Sequence, residues 1–346
     1  MTLFSRRRWL AQTSLAAASL ALPTLGRAQS PVKIRFQMDW RVDGQSAPFY
    51  YSLAKGYFEK EGLDVSFDVG AGSAMAVNRL ASGTYDMGYG DVNALIEFFG
   101  SGAPAVARPQ AVYQTLDQTP AGVMVLTKSG VTAPAGLAGK TLGAPVFDAG
   151  RKLWPLFAKV QGLPVDAVKW QSMDPGLREV MLVRGDVDGV TGFQPSGLIS
   201  AMAAGAKEED LRVFLYKDFG VNVYGNAILA TSKFIAEQPQ AVAAFLRAYN
   251  KGLKEVIANP EEGVRIVRQR EPLVDATVEL RRLKGLVDVS VVTPTTRAQG
   301  LGEADMARLE KQIDDVSAAF NLKSKPTAAT LFNPAFLPPR RERMLA

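Results

Sequence analysis

The residues best suited to contacting a small molecule stand just after short runs that alternate apolar and polar residues, as strands do. Trp40 follows the first such run, where open α/β sheets place their ligands, and its indole offers a flat face and one N–H donor. Gly72 and Ser73 lead into a predicted helix, whose free N–H groups and dipole favour a carboxylate, sulfonate or phosphate. Each residue also has a structural alternative, since the indole could pack in the core and Ser73 could serve as the helix N-cap.

Two charged residues occupy similar turns. Asp91 ends a predicted strand and could accept N–H bonds from a heterocycle, cap the following helix, or do both. Arg151 follows a later strand and could pair with a ligand anion or with Asp148, which we expect to cap the helix there.

Further candidate ligand contacts are aromatic or amide side chains near the same turns or near the predicted chain crossings: Tyr50, Tyr113, Phe193, Asn222 and Tyr224. Packing within a helix or the core is the alternative for Tyr50 and Phe193. The other three would meet a ligand only if two halves of the molecule closed on it. Aromatic candidates outnumber anion donors, which favours a planar or heteroaromatic solute over nitrate or taurine.

The N-terminal segment has the order of features typical of an export signal. Ser5-Arg6-Arg7-Arg8-Trp9-Leu10 resembles a twin-arginine motif, an apolar stretch runs from about 15 to 25, and Gly26-Arg27-Ala28 fits a cleavage site. A basic N-terminal helix is the alternative. Cleavage after Ala28 would remove four arginines and no acid, lowering the net charge from +6 to +2. The mature chain then has no charge surplus suited to nucleic acid or an anionic membrane.

The chain contains no cysteine and no histidine. Cys–His and Ser–His catalysis, a His/Cys zinc site, a disulfide and a lipid-anchoring cysteine are therefore all excluded. Lysine, tyrosine, serine and the carboxylates remain for catalysis. We expect no catalytic residues, no metal and no cofactor.

Hydrophobic periodicity predicts two repeats of strand, helix, strand, helix, strand, an order that implies parallel pairing. The predicted strands are 32–36, 63–67, 87–90, 140–144, 168–170 and 187–191, with a returning strand within 221–231. One helix is expected to carry the stripe Phe49, Leu53 and Tyr57 up to a stop at Gly62. Helices are also expected at 149–161 and 177–183, and over most of the chain beyond 239.

The repeat predicts two α/β lobes joined by two chain crossings, with a ligand cleft between them. The first lobe would comprise 29–115 and 222–346 and the second lobe 116–221, after a signal peptide at 1–28. The patterns Leu80-x-x-Gly83-x-x-Asp86 and Leu182-x-x-Gly185-x-x-Asp188 recur in matching helix-to-strand contexts. Crossings near 113–119 and 216–224 would form a hinge.

A longer motif points to a family. Asp39-Trp40 and the segment 54–65, AKGYFEKEGLDV, resemble the opening of the nitrate/sulfonate/taurine and thiamine-pyrimidine binding-protein superfamily. The resemblance implies a periplasmic-binding-protein fold and the capture of a solute for an ABC importer. The intervening loop departs from the pyrimidine binders, because Val42, Asp43, Ser46 and Pro48 replace their Pro, Asn, His and Gly. A thiamine-precursor ligand is thereby put in doubt.

We therefore expect a monomeric periplasmic receptor that closes its lobes on a small organic solute and docks on an inner-membrane ABC permease, with no nucleic-acid partner. One alternative is an enzyme on the same fold acting on a pyrimidine-like or sulfur-containing molecule. The resemblance disfavours it, because such relatives rely on histidine or cysteine. Another alternative is a ligand-sensing partner of a membrane receptor.

Overall fold

Two five-stranded sheets organise the described residues, 30–102 and 106–345 of a computed structural model. The export signal expected at 1–28 lies outside the described residues. The strands are β1 (Val32–Gln37), β2 (Leu63–Asp68), β3 (Met87–Asp91), β4 (Pro109–Gln114), β5 (Ala121–Leu126), β6 (Thr141–Ala144), β7 (Lys169–Ser172), β8 (Gly189–Phe193), β9 (Leu211–Leu215) and β10 (Asn226–Thr231).

The two sheets repeat one arrangement. The first has the order β2-β1-β3-β10-β4 and the second β7-β6-β8-β5-β9. In each, the first three strands are parallel, as the repeat predicted, and the next strand is antiparallel. The α/β class and the existence of the predicted strands are confirmed, but β8 begins two residues later than expected, at Gly189.

The sequence patterns did not predict three of the described strands: β4, β5 and β9. β5 (AGVMVL) is buried along its whole length, so it reads as a continuous apolar run without alternation. β4 begins at Pro109 on the edge of the first sheet, and β9 forms the edge of the second.

Helices cover the sheets and fill most of the chain after β10. They are α1 (Ala47–Ala54), α2 (Tyr57–Lys60), α3 (Ser73–Ala81), α4 (Val92–Gly100), α5 (Ala149–Val160), α6 (Arg178–Arg184), α7 (Gln194–Ala203), α8 (Ser232–Glu237), α9 (Pro239–Ala258), α10 (Pro260–Arg270), α11 (Ala276–Leu286), α12 (Pro294–Gln299), α13 (Met306–Phe320), α14 (Ala328–Leu331) and α15 (Arg340–Arg343). None of those in the described part of the chain has the length and apolar character needed to cross a membrane.

The prediction of one helix through Phe49, Leu53 and Tyr57 is wrong. Gly56 adopts φ +65°, a left-handed conformation that ends α1 and separates it from α2. Leu53 is consequently 41% exposed instead of lying on a buried stripe.

The chain crosses between the sheets twice. It leaves the first sheet after Gln114, enters the second at Ala121, leaves that sheet after Leu215 and returns at Asn226. We refer to the elements before the first crossing and after the second as the first lobe, and to β5 through β9 with their helices as the second lobe. Both crossings lie where the hinge is expected, and hinge motion itself stays a prediction.

Candidate functional site

A cavity opens between the lobes at the carboxyl ends of β1 and β3. It contains about 610 Å³ of empty space, including the solvent at its mouth. The first lobe supplies the loop after β1, the start of α3 and the start of β10. The second lobe supplies the turn before α5, the start of α6 and the end of β8. The cavity therefore occupies the position at which open α/β sheets bind ligands.

Four sequence-predicted residues line this cavity: Trp40, Gly72, Ser73 and Phe193. Trp40 comes from the first lobe and is partly exposed, and Phe193 ends β8 of the second lobe. The Arg178 guanidinium lies 5.1 Å from the centroid of the Trp40 ring, so one indole contacts a cation across the cleft. Contact of these four residues with a ligand stays a prediction.

Gly72 brings the lobes into backbone contact. It adopts φ +138°, and a Cβ at this position would lie 2.1 Å from the Phe147 carbonyl oxygen of the second lobe. The N–H of Ala74 in the first turn of α3 donates to that same oxygen at 3.4 Å. A protein carbonyl thus occupies part of the helix terminus at which the sequence suggested an anion site.

Asp39 faces the cavity just after β1 and is the one lining carboxylate of the described structure that has no ion-pair partner. Its Oδ2 accepts hydrogen bonds from Asn226 Nδ2 at 2.6 Å and from Ser73 Oγ at 3.3 Å. Burial raises the pKa of the Asp39 carboxyl to about 7, although the Asn226 bond opposes the rise. Neutral and ionised forms are therefore both available near neutral pH.

Arg178 is the main cation of the second-lobe wall, but two carboxylates already neutralise it. It pairs with Asp148 at 3.0 Å and with Glu179 at 2.7 Å, and all three side chains are buried. Gly192 makes room for it, because a Cβ there would lie 2.3 Å from Arg178 Nη1. This guanidinium has little remaining capacity for a ligand anion.

Asp148 caps α5, as expected, by accepting the Arg151 N–H at 2.8 Å. A side-chain pair between Asp148 and Arg151 is not formed, because the Arg178 guanidinium takes that place. The Arg151 guanidinium instead donates to Ala144 O and Ser172 Oγ and lies over the Trp170 ring at 4.9 Å. Arg151 is not among the residues that line the cavity.

A second buried ionic group connects the lobes beside the cavity. Arg282 of α11 pairs with Glu279, lies 3.9 Å from Asp43 and donates to Ser200 Oγ of α7 at 2.9 Å. Burial raises the pKa of Asp43, and the nearby Arg282 opposes the rise. This group fastens a helix of one lobe to a helix of the other.

Two further tyrosines among the candidates lie away from the cavity. Tyr50 is buried against Phe67, with ring centroids 5.5 Å apart. Tyr113 is fully buried and donates to Asn250 Oδ1 at 2.8 Å. Their amphipathic side chains serve core packing in this structure.

The other candidates outside the cavity lie near the crossings. Tyr224 is buried, accepts the Asp305 N–H through its hydroxyl at 2.8 Å and stacks under Arg308. Asn222 is exposed on the surface. Asp91 accepts the Asn93 N–H at 2.7 Å and so caps α4, which is the structural role that the sequence suggested for it.

Sequence reasoning missed four cavity residues that carry its polar chemistry: Asp39, Asp43, Arg178 and Asn226. The two aspartates stand in the singled-out loop, and an acid directly after a buried strand could have identified Asp39. Arg178 and Asn226 have no comparable local signal, since each reaches the cavity only through tertiary packing. Within the described ranges no cluster of acidic residues is suited to holding a metal ion.

Comparison with known proteins places these observations in context. A family model described as NMT1/THI5 like matches residues 43–263. A formylaminopyrimidine-binding protein of Halalkalibacterium halodurans is 25% identical over 74% of this chain and 73% of its own. A protein of Candida albicans named 4-amino-5-hydroxymethyl-2-methylpyrimidine phosphate synthase is 26% identical over 66% of this chain and 69% of its own.

Solved structures share the architecture. The alkanesulfonate-binding protein of Xanthomonas axonopodis pv. citri, determined with MOPS bound, superposes with a TM-score of 0.69 at 14% identity. The match covers 88% of this chain and 99% of that protein. The expected periplasmic-binding-protein fold and the superfamily resemblance are both confirmed.

Proposed function

This chain belongs to the NMT1/THI5-like family, and on that premise we propose that it is the solute-binding component of an ABC importer. It captures a small planar organic molecule between its lobes and presents it to a permease in the inner membrane. The observation that carries the proposal is the cavity between the sheets, with Trp40 on one side and Phe193 on the other.

Capture works by a shift of population between open and closed forms. A solute that contacts both lobes stabilises closure by the difference between its affinities for the two forms. The two crossings, 115–120 and 216–225, are the segments that would bend. The lobes would comprise 29–115 with 222–346, and 116–221.

A planar solute suits the aromatic walls better than a compact oxyanion does. Indole and phenyl faces offer stacking area with few polar groups. The buried guanidinium of Arg178 already has two carboxylate partners. Nitrate or a short sulfonate would thus lack an available cation on this wall.

The proposed compartment is the periplasm, reached by twin-arginine export with cleavage after Ala28. The receptor acts as a monomer and releases its solute unaltered. The relative named as a binding protein supports the assignment as a receptor. The relative named as a synthase is the basis of the enzymatic alternative. The absence of histidine and cysteine from this chain favours the receptor.

Native mass spectrometry of the protein purified from its own periplasm tests the proposal. We expect a mass increment from one bound solute, and recovery of that same molecule, chemically unchanged, after denaturation. A solute converted to product during incubation would support the enzyme instead. Loss of uptake of that solute on gene deletion would separate the importer from a ligand-sensing partner, whose deletion leaves uptake intact.

A further inference from the structure

The charged groups around the cavity indicate the charge of the solute, which the aromatic walls alone do not. Resting on the proposed receptor function, we propose that the solute is an organic cation whose N–H groups bind the Asp39 carboxylate and the Asn226 side-chain carbonyl. Its planar part would then lie against Trp40. Cationic solutes differ in charge from the sulfonate named for a protein of the same fold.

Buried carboxylates outnumber buried guanidinium groups in and directly behind the cavity wall. Arg178 is shared by Asp148 and Glu179, and Arg282 is shared by Asp43 and Glu279. Each cation therefore already faces two acids. Both groups lie within a region of low solvent access, where an excess negative charge is costly unless a cation compensates it.

Among the carboxylates that line the cavity in the described structure, Asp39 is the one without a cation partner. Its partners in the described structure are the neutral Asn226 and Ser73, and no lysine or arginine there lies within ion-pair distance of it. Arg41 also lines the cavity but is exposed, so solvent screens its charge. A ligand cation would neutralise the ionised form of Asp39, which otherwise becomes neutral by taking up a proton.

Asn226 supplies the second acceptor. Its side chain is fully buried, and its Nδ2 is committed to Asp39, which sets the orientation of the amide. Asn226 lines the cavity, and its Oδ1 is buried with no hydrogen-bond partner in the described structure. An unsatisfied buried carbonyl costs free energy that a ligand N–H donor would recover.

These acceptors suit an amidinium, a guanidinium or a protonated amine on a planar frame. Each group offers N–H donors and positive charge to an acceptor pair, and carboxylates and sulfonates offer neither. The α3 N-terminus is the natural competitor for anions, but its Ala74 N–H already donates to Phe147 O.

Three matched probes test the charge class: benzamidinium, benzamide and benzoate, which share ring, planarity and approximate size. Titration calorimetry on the solute-stripped full chain, at neutral pH and moderate salt, should show benzamidinium binding at least about tenfold tighter than benzamide, a difference of ~1.4 kcal/mol. Benzoate should bind no better than benzamide. The series uses the unmodified protein, so it does not depend on a variant folding.

Asp39→Asn should remove most of the preference for benzamidinium, so that the ratio of its affinity to that of benzamide falls well below the wild-type ratio. Asp275→Asn is the matched control, because Asp275 is an exposed helix cap whose role asparagine can fill. Benzoate binding as tightly as benzamidinium, or no response to any probe up to about 10 mM, well above a weak dissociation constant of ~1 mM, would overturn the cation assignment. An unchanged solute in native mass spectrometry would still support the receptor in either case.

Discussion

At the scale of single residues, the proposed recognition depends on a small set of cavity side chains contributed by both lobes. Trp40 is the aromatic member of the first-lobe wall, and its ring is partly exposed to the cavity. Replacement by alanine removes stacking area without opening a hole in a sealed core. Trp40→Ala should therefore weaken solute binding by roughly fivefold or more, in line with ~1 kcal/mol or more for an aromatic contact, with little loss of stability.

Trp170 is the control for that substitution. It is partly exposed in the second lobe under Arg151, outside the cavity. Trp170→Ala should leave solute affinity unchanged in calorimetry. Equal losses of affinity in both variants would show that the effect comes from general destabilisation.

Asp39 also predicts a pH dependence of stability. Its folded-state pKa of about 7 lies above the ordinary 3.8, so its contribution is full in acid and is lost as pH rises from about 4 to about 7. The ionisable groups facing it are Asp43, whose charge raises the pKa further, and Tyr89, with the Arg178–Asp148 pair across the cavity.

Urea unfolding of the solute-free protein measures this dependence. The free energy of unfolding of the wild type should fall, relative to that of Asp39→Asn, as pH rises through that window. Affinity for benzamidinium should rise over the same window, because the ionised carboxylate is the form that pairs with a cation. Parallel pH profiles for the two proteins would contradict the assignment of a raised pKa to Asp39.

At the scale of elements, local patterns predicted seven of the ten described strands, including β3 and β10, which are buried along their whole length. β5 gave no alternation because both of its faces are buried. The pairing of Asp39 with Asn226 joins residues 187 positions apart. No local pattern could predict it, because it exists only once β10 returns antiparallel beside β3.

The helix pair α7 and α11 gives a prediction about the lobe interface. Arg282→Ala would leave Glu279 and Asp43 buried without their cation, and we expect it to lower the free energy of unfolding by about 3 kcal/mol or more. Arg281→Ala is the adjacent control, since Arg281 is exposed and pairs with Glu208 on the surface. That change should cost less than about 1 kcal/mol by chemical denaturation. Similar losses in both variants would mean that the buried group does not stabilise the interface.

The close approach of the two lobes at Gly72, just before α3, predicts that a larger residue there favours the open form. In Gly72→Ala the new Cβ meets the backbone of Phe147 in the opposite lobe, so the lobes must separate to accommodate it. Solute affinity should drop by about tenfold or more, the factor that ~1.4 kcal/mol opposing closure produces. Gly83→Ala has a similarly positive φ but an open surrounding, so it should strain its own turn and leave affinity unchanged. A Gly72→Ala protein with wild-type affinity would show that close approach at this turn is not required for binding.

At the scale of the whole molecule, the repeat predicted from the sequence corresponds to two sheets with the same strand arrangement. The cavity lies between the lobes that contain them. Periodicity predicted the parallel strands and the two α/β lobes, but it predicted neither the strand order nor β4, β5 and β9. The residues facing the cavity followed from how the lobes meet, which is why only part of the wall could be predicted. The contacts across the cleft, at Gly72, Arg178 and Arg282, are those that closure would form and opening would break.

Small-angle X-ray scattering measures that opening and closing directly. The protein purified with its solute should give a smaller radius of gyration than the same protein after the solute is stripped, and adding the solute back should restore the first profile. Superimposable profiles in the two states, with the solute shown to bind, would contradict capture by lobe closure.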